Sequence, residues 1–123
     1  MTGLRQYVGD TGEKAAREYL EKNGYRIIET NFRCRLGEID LVALDGNTTV
    51  IVEVRTKTGD THGLPEESIS GKKARRLYRL ALYYLQSKYG HEVPSRIDLV
   101  AVTVDKTDHS IQKLNHIRGI LSG

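Results

Sequence analysis

Several features common in other protein classes are scarce in this sequence of 123 residues, which has one cysteine, two prolines and no tryptophan. The lone Cys34 cannot form an internal disulfide or a cysteine zinc cluster. The longest apolar run, from Leu80 to Leu85, has six residues, whereas a membrane-spanning helix needs about 20. The first residues lack the apolar stretch of a secretory signal peptide. These absences argue against a disulfide-rich secreted module and a helical membrane protein, and we expect a cytoplasmic protein.

Length and composition are typical of one folded domain. Hydrophobic residues make up 38% of the chain and charged residues 28%, which suits a globular protein. The length falls within the common range for a single domain. We therefore predict one domain covering residues 1–123.

Hydrophobic periodicity and turn signals predict seven elements in the order α-β-β-β-α-β-β. The predicted helices cover residues 11–23 and 69–89, and the predicted strands cover 25–32, 38–44, 50–56, 96–104 and 110–117. Residues 58–67 are predicted to form a loop. Asp45, Gly46 and Asn47 are typical of a tight hairpin turn, and Gly24 is suited to end the first helix. The order predicts an α/β fold, a central mixed sheet flanked by helices.

The predicted hairpin brings two carboxylates together. If Gly46 and Asn47 form the loop, Asp40 lies opposite Glu53, while Ile39 and Leu41 share the other, apolar face. Carboxylates at opposing positions repel each other, so a cation between them is favoured. Oxygen ligands of this kind suit Mg²⁺. The pair could instead be neutralised by neighbouring bases without a metal, and the spacing leaves both interpretations open.

A wider pattern extends this hairpin. Gly37-Glu-Ile-Asp-Leu-Val-Ala is followed by Val52-Glu-Val-Arg-Thr-Lys57, with Gly12-Glu13 on the first helix and Arg96-Ile-Asp-Leu-Val-Ala on a later strand. This string resembles the YraN (UPF0102) family, which is similar to Holliday junction resolvases of the PD-(D/E)xK, restriction-endonuclease-like superfamily. The resemblance runs from about Gly12 to Arg118. It implies a restriction-endonuclease-like α/β fold and a nuclease that depends on Mg²⁺ or Mn²⁺.

The resemblance also implies roles for individual residues. Asp40 and Glu53 would be catalytic metal ligands, and Glu13 would help to hold the metal. The alternative for Glu13 is a capping box with Asp10, which has the required spacing. Glu38 shares the predicted site face and could simply pair with Arg55.

The main departure from the superfamily pattern is Arg55, which stands where lysine is usual. Arginine can stabilise phosphate charge, but it cannot act as a base because its pKa is too high. Lys57 lies two residues further on the same face, about 6–7 Å along the strand. The site could therefore work with Arg55, depend on Lys57, or be inactive.

Basic charge is concentrated on the second predicted helix. Residues 69–90 contain six basic residues and no acid. We predict that four of them bind nucleic acid: Lys72, Lys73, Arg75 and Arg76. Lysines in the first turn oppose the helix dipole, and a bound phosphate would reverse that penalty. A solvated helix face, or neutralisation by Glu66 and Glu67, is the alternative.

Three functional hypotheses follow. The first is a metal-dependent nuclease that hydrolyses phosphodiester bonds of DNA, including branched or structured forms. The second is a catalytically degenerate nucleic-acid-binding module, and the third is a protein-interaction domain whose basic helix binds an acidic partner. The preferred partner is nucleic acid, DNA rather than RNA, and we expect no membrane partner. The resemblance to resolvases also implies a homodimer.

Overall fold

The computed structural model of the protein describes residues 3–59, 69 and 71–121. It contains two helices, α1 (Gly3–Lys22) and α2 (Gly71–Tyr89). It also contains five strands: β1 (Arg26–Cys34), β2 (Gly37–Asp45), β3 (Thr48–Thr58), β4 (Ser95–Val104) and β5 (Ile111–Leu121). The predicted order of elements is confirmed. The predicted loop over residues 58–67 lies almost entirely outside the described residues.

The five strands form one mixed sheet in the order β1-β2-β3-β4-β5. Neighbouring strands are antiparallel except β3 and β4, which are parallel. A parallel pair needs a long crossover, and α2 lies in the connection between these two strands. Fold class and arrangement therefore agree with the α/β prediction of a mixed sheet flanked by helices.

The sheet separates two apolar cores. On one face, Ala16 and Leu20 of α1 pack with buried residues of the central strands such as Val52 and Val102. On the other face, α2 packs through Leu77, Leu80, Ala81 and Tyr84, together with Ile39, Ile51 and other residues of the sheet. Consecutive residues of β3 therefore point into opposite cores. The charged residues of β3 follow this apolar stretch, towards the end of the strand.

Helix α1 differs most from its predicted bounds. It begins eight residues before the predicted start, so Asp10 lies inside the helix. The proposed capping box between Asp10 and Glu13 is therefore wrong. The predicted end is confirmed: Gly24 has φ 88°, and the Tyr25 N–H donates to the carbonyl of Leu20 over 3.0 Å. This hydrogen bond closes the helix in a Schellman motif.

A buried ionic network joins β4 and β5. The Asp98 carboxylate is fully buried and accepts hydrogen bonds from Arg96 (3.0 Å) and from the N–H of Gly119 (3.0 Å). Nε2 of His116 lies 2.8 Å from the same carboxylate, and the other ring nitrogen is 3.1 Å from the Tyr19 hydroxyl of α1. The network therefore ties helix α1 to the far edge of the sheet.

No helix in the described part of the chain is long and apolar enough to cross a membrane.

Candidate functional site

Strand β2 separates from β3 at Asp40. The predicted hairpin register is confirmed from Asp45 opposite Thr48 to Leu41 opposite Val52, where the ladder ends. At Asp40 the side chain replaces the strand pairing, because its Oδ2 accepts a hydrogen bond from the Val54 N–H over 2.8 Å. Before Leu41, β2 is therefore no longer paired with β3, and the Asp40 side chain lies in the gap between the two strands.

The separation also changes which way the residues face. Ile39 packs in the core under α2, whereas Leu41 packs in the core under α1. The prediction that both share one face is therefore wrong. The alternation of β2 breaks at Asp40, which can contact groups on both sides of the sheet as a result.

Asp40 and Glu53 form a largely buried carboxylate pair. The Glu53 side chain is 14% exposed. Burial, followed by the nearby charge of Asp40, raises the pKa of Glu53 to about 7. Burial also raises the pKa of Asp40, although the Val54 hydrogen bond opposes this effect. The two groups share a hydrogen bond, so the pair favours a proton or another cation between them.

Arg55 supplies one positive charge to this pair. Its Nη2 lies 2.9 Å from Oε2 of Glu53, as the metal-free interpretation of the hairpin predicts. Its Nε is buried without a hydrogen-bond partner among the described residues. The guanidinium therefore neutralises Glu53 with one nitrogen and keeps an unused donor for a further acceptor.

Glu13 reaches the site because α1 lies unusually close to β3. A Cβ atom at Gly12 would lie only 1.9 Å from Oγ1 of Thr56, so glycine is required at this contact. The next residue, Glu13, lies near enough to Asp40 that, after burial, the Asp40 charge is the second cause of its raised pKa. Close packing at Gly12 thus brings the helix carboxylate towards the gap beside Asp40.

Asn31 is a site residue that the sequence analysis missed. It lies within β1 at φ 53°, a left-handed conformation that residues other than glycine rarely adopt. Its side-chain amide donates a hydrogen bond to Oε1 of Glu13 over 3.1 Å. Asparagine is unfavourable in strands and tolerates the left-handed region. An asparagine within a predicted strand was therefore the one sequence signal for an irregular backbone at this position. Asn31 fixes the orientation of the Glu13 carboxylate.

Glu38 has a different partner from the predicted one. Its Oε2 lies 2.6 Å from Nε of Arg33, its register partner on β1, so the predicted pairing with Arg55 is wrong.

Lys57 is partly buried two residues beyond Arg55 on β3. It does not line the cavity around Glu53 and Arg55 as far as the described residues define that cavity.

Glu53 of the carboxylate pair lines a cavity with basic residues on the opposite wall. This site cavity has a volume of about 280 Å³. Glu38, Glu53 and Arg55 line it from the sheet, and Lys73 and Arg76 line it from α2. Two of the four predicted nucleic-acid-binding residues, Lys73 and Arg76, therefore share a cavity with Glu53, whereas Lys72 and Arg75 do not line it.

Comparison with known sequences places the chain in a family. The sequence model of the family described as "Uncharacterised protein family UPF0102" matches residues 12–102. The chain belongs to the UPF0102 family. The UPF0102 protein of Pelotomaculum thermopropionicum is 46% identical to it over 116 residues, which cover 94% of this chain and 96% of that protein. The UPF0102 protein of Moorella thermoacetica is 48% identical over 108 residues, which cover 88% and 90% respectively.

The family match includes every site residue predicted from the sequence, from Glu13 on α1 to Arg76 on α2. A UPF0102 protein from Caldanaerobacter subterraneus is also similar, with 40% identity over 113 residues that cover 92% of this chain and 93% of that protein. The candidate site therefore lies within the region that defines UPF0102.

Two carboxylates of this UPF0102 protein, Asp40 and Glu53, are candidate ligands for a divalent metal. Among the described residues, no three His, Cys, Asp or Glu side chains are gathered closely enough to hold a metal ion. Mg²⁺ needs fewer, since it is commonly bound by one or two carboxylates with waters and substrate phosphates. Asp40 and Glu53 fit that requirement, while the role of Glu13 as a third ligand stays a prediction.

Proposed function

We propose that this UPF0102 protein is a metal-dependent nuclease that hydrolyses phosphodiester bonds of DNA. The observation that carries the proposal is the largely buried Asp40–Glu53 pair, of which Glu53 lines a cavity whose opposite wall is basic. A buried carboxylate pair without full neutralisation is destabilising unless a cation is present. A phosphodiester is the substrate that needs both a cation at the carboxylates and bases beside it.

Each side chain contributes a separate step. Asp40 and Glu53 would hold Mg²⁺ or Mn²⁺. The bound ion would act as a Lewis acid and lower the pKa of a bound water. Lys73 and Arg76 attract the phosphodiester into the site cavity. Arg55 would stabilise charge that develops on the phosphate, because a preorganised donor is most effective there.

Metal binding tests the proposal without knowledge of the best substrate. The protein is titrated with Mn²⁺ in the presence of a short DNA duplex, beside the variant Asp40→Asn. We expect saturable binding that Asp40→Asn weakens by at least tenfold, together with loss of any cleavage. The control is Glu18→Gln, an exposed carboxylate of the same helix that carries Glu13, which should bind as the unchanged protein does. Equal Mn²⁺ binding by all three proteins would refute the proposal.

A second candidate is a nucleic-acid-binding module of the same fold without catalysis. The Arg55–Glu53 ion pair at 2.9 Å favours it, because arginine already occupies the position of a cation at Glu53. This function predicts binding that weakens steeply with salt. Binding would be lost when Lys72, Lys73, Arg75 and Arg76 are neutralised and would not respond to Mn²⁺. Absence of nucleic-acid binding at low salt would contradict both candidates and favour a protein-interaction domain.

A further inference from the structure

A second, larger depression adjoins the site cavity. We name it the basic cleft; its volume is about 620 Å³. One wall is the turn between β1 and β2, including Cys34, Arg35 and Leu36, and the other wall is the basic face of α2. Gly37 and Arg76 line both the basic cleft and the site cavity. A ligand that extends along the basic cleft into the site cavity therefore reaches Glu53 and Arg55.

Positive charge lines both walls of the basic cleft. Among the described residues, the lining contains no acid and five cations: Arg35, Lys72, Arg75, Arg76 and Arg79. None of the five forms an ion pair with a described residue. Like charges that face each other across a cleft repel, so the arrangement favours a polyanion between them. Arg35 and Arg79 were absent from the predicted binding set, because nothing in the sequence shows that the turn faces α2.

An exposed aromatic ring continues the basic face of α2. Tyr83 is 45% exposed, and it follows Arg79 by four residues, so both lie on the same side of the helix. Its ring lies 6.5 Å from that of Phe32 on β1, centroid to centroid. A basic groove with an exposed aromatic side chain is the combination that binds unpaired bases, because phosphates contact the cations and a base stacks on the ring.

The size of the basic cleft separates two forms of nucleic acid. A duplex, whose major groove alone is about 12 Å wide, would lie across the mouth of a cleft of about 620 Å³ and contact it from outside. One strand can enter, with its backbone between Arg35 and α2.

We propose that the basic cleft binds a single-stranded segment of nucleic acid, with Arg35 and Arg79 on its backbone and Tyr83 against a base. The inference deepens the proposed function. It rests on that function only for cleavage of the bound strand, which would reach Asp40 and Glu53. Binding itself requires no metal.

Fluorescence anisotropy in EDTA tests the binding. The probes are an oligo-dT and an oligo-U of about a dozen nucleotides, and a DNA duplex of the same length. We expect the better of the two single strands to bind at least tenfold more tightly than the duplex, and the comparison of oligo-dT with oligo-U identifies DNA or RNA as the source. The double variant Arg35→Gln/Arg79→Gln should reduce the salt slope by about 1.4, because each phosphate contact on a single strand contributes about 0.7.

Two control variants distinguish binding in the basic cleft from the effects of net charge and of exposed apolar side chains elsewhere. Lys106→Gln/Lys113→Gln removes the same charge from exposed positions elsewhere and should change affinity less than threefold. Tyr83→Ala should weaken binding about tenfold without changing the salt slope. Leu82→Ala, at an equally exposed neighbour, should have little effect.

The single cysteine provides an independent readout. Cys34 lines the basic cleft and is partly buried, so a bound single strand should slow its alkylation by iodoacetamide, and the duplex should not. Equal or tighter binding of the duplex would overturn the inference, as would equal losses in the cleft and control variants. Displacement of the strand by an equal concentration of poly-glutamate would also overturn it and indicate an acidic protein partner.

The two proposals fail separately. Strand binding in EDTA without any Mn²⁺ binding would refute the nuclease and support the cleft assignment. Mn²⁺ binding that Asp40→Asn removes, with no preference for single strands, would support the nuclease and refute the cleft assignment.

Discussion

Glu53 lies among groups that make its ionised form costly. Its carboxyl is buried beside Asp40, and Arg55 offsets part of the resulting repulsion. A carboxyl group whose pKa is higher in the folded than in the unfolded protein binds its proton more tightly in the folded state. Protonation of Glu53 therefore stabilises the fold when no metal is present.

The sign of the resulting pH dependence follows from the pKa of about 7, against an ordinary value of 4.5. The stabilisation is complete below the ordinary pKa and is lost as the pH rises through about 7. A shift of this size corresponds to about 3 kcal/mol. We expect urea denaturation in EDTA to show a lower free energy of unfolding at about pH 8 than at about pH 5.

Glu53→Gln isolates this contribution, because glutamine keeps the shape of the side chain and cannot ionise. The variant should lose most of the difference in unfolding free energy between the two pH values. Glu18→Gln should keep it. The same pH dependence in Glu53→Gln and in the unchanged protein would show that Glu53 is not the group responsible.

At the residue scale, the sequence predicted which acids belong together but missed several of their partners. Asp40 and Glu53 could be paired because a hairpin with a recognisable turn has few acceptable registers. Asn31, Arg33 and Arg35 could not be assigned, since their roles depend on a break in the alternation of β1 and β2 and on the position of α2. Such breaks arise from tertiary packing and leave little local signal.

At the element scale, the contact between α1 and β3 depends on the absence of a side chain at Gly12. Alanine normally stabilises a helix relative to glycine, but here its Cβ would overlap Thr56. We expect Gly12→Ala to lower the free energy of unfolding by about 1–3 kcal/mol and to weaken Mn²⁺ binding, because Glu13 moves with the helix. Chemical denaturation and the Mn²⁺ titration measure the two effects.

Gly9 provides the matched control in the same helix, since a Cβ there meets nothing within 4 Å. Gly9→Ala should leave Mn²⁺ binding unchanged and raise stability by up to about 1 kcal/mol. Equal behaviour of the two alanine variants would show that the close approach to Thr56 does not position Glu13.

Elements with strong periodicity were predicted well, and their ends less well. The core of each strand and the end of α1 at Gly24 are confirmed, because apolar alternation and a left-handed glycine are local signals. The start of α1 at Gly3 was missed: the helix begins eight residues before the predicted start at residue 11.

At the scale of the whole molecule, the Asp98 network holds together elements that are distant in sequence. Removing the Asp98 carboxylate leaves His116 without its acidic partner and Arg96 with Asp45 alone, and breaking a buried ion pair costs about 3–5 kcal/mol. We expect Asp98→Ala to lower the free energy of unfolding by about that amount, measured by urea denaturation. Glu92→Ala, an exposed acid shortly before β4, should change it by less than about 0.5 kcal/mol. Similar small losses in both variants would contradict a stabilising role for the network.

The overall arrangement followed from the order of elements, because few topologies accommodate three consecutive strands, a helix and two further strands. The string Ile-Asp-Leu-Val-Ala occurs at residues 39–43 in β2 and again at residues 97–101 in β4, in different surroundings. Asp40 meets Glu53 across the hairpin, whereas Asp98 meets Arg96 and His116. The surrounding residues, rather than the string itself, determine whether the aspartate belongs to the carboxylate pair or to the network.

The parallel pairing of β3 with β4 has a consequence for the order of folding. The first three strands are joined by short turns, but β4 cannot pair with β3 until residues 59–94, which include α2, have folded back. Contacts between distant parts of a chain form slowly. We therefore expect the Asp40–Glu53 hairpin to form while the apolar edge of β3 at Val50–Val52 is still open, which makes that edge the part of a newly synthesised chain most prone to aggregation.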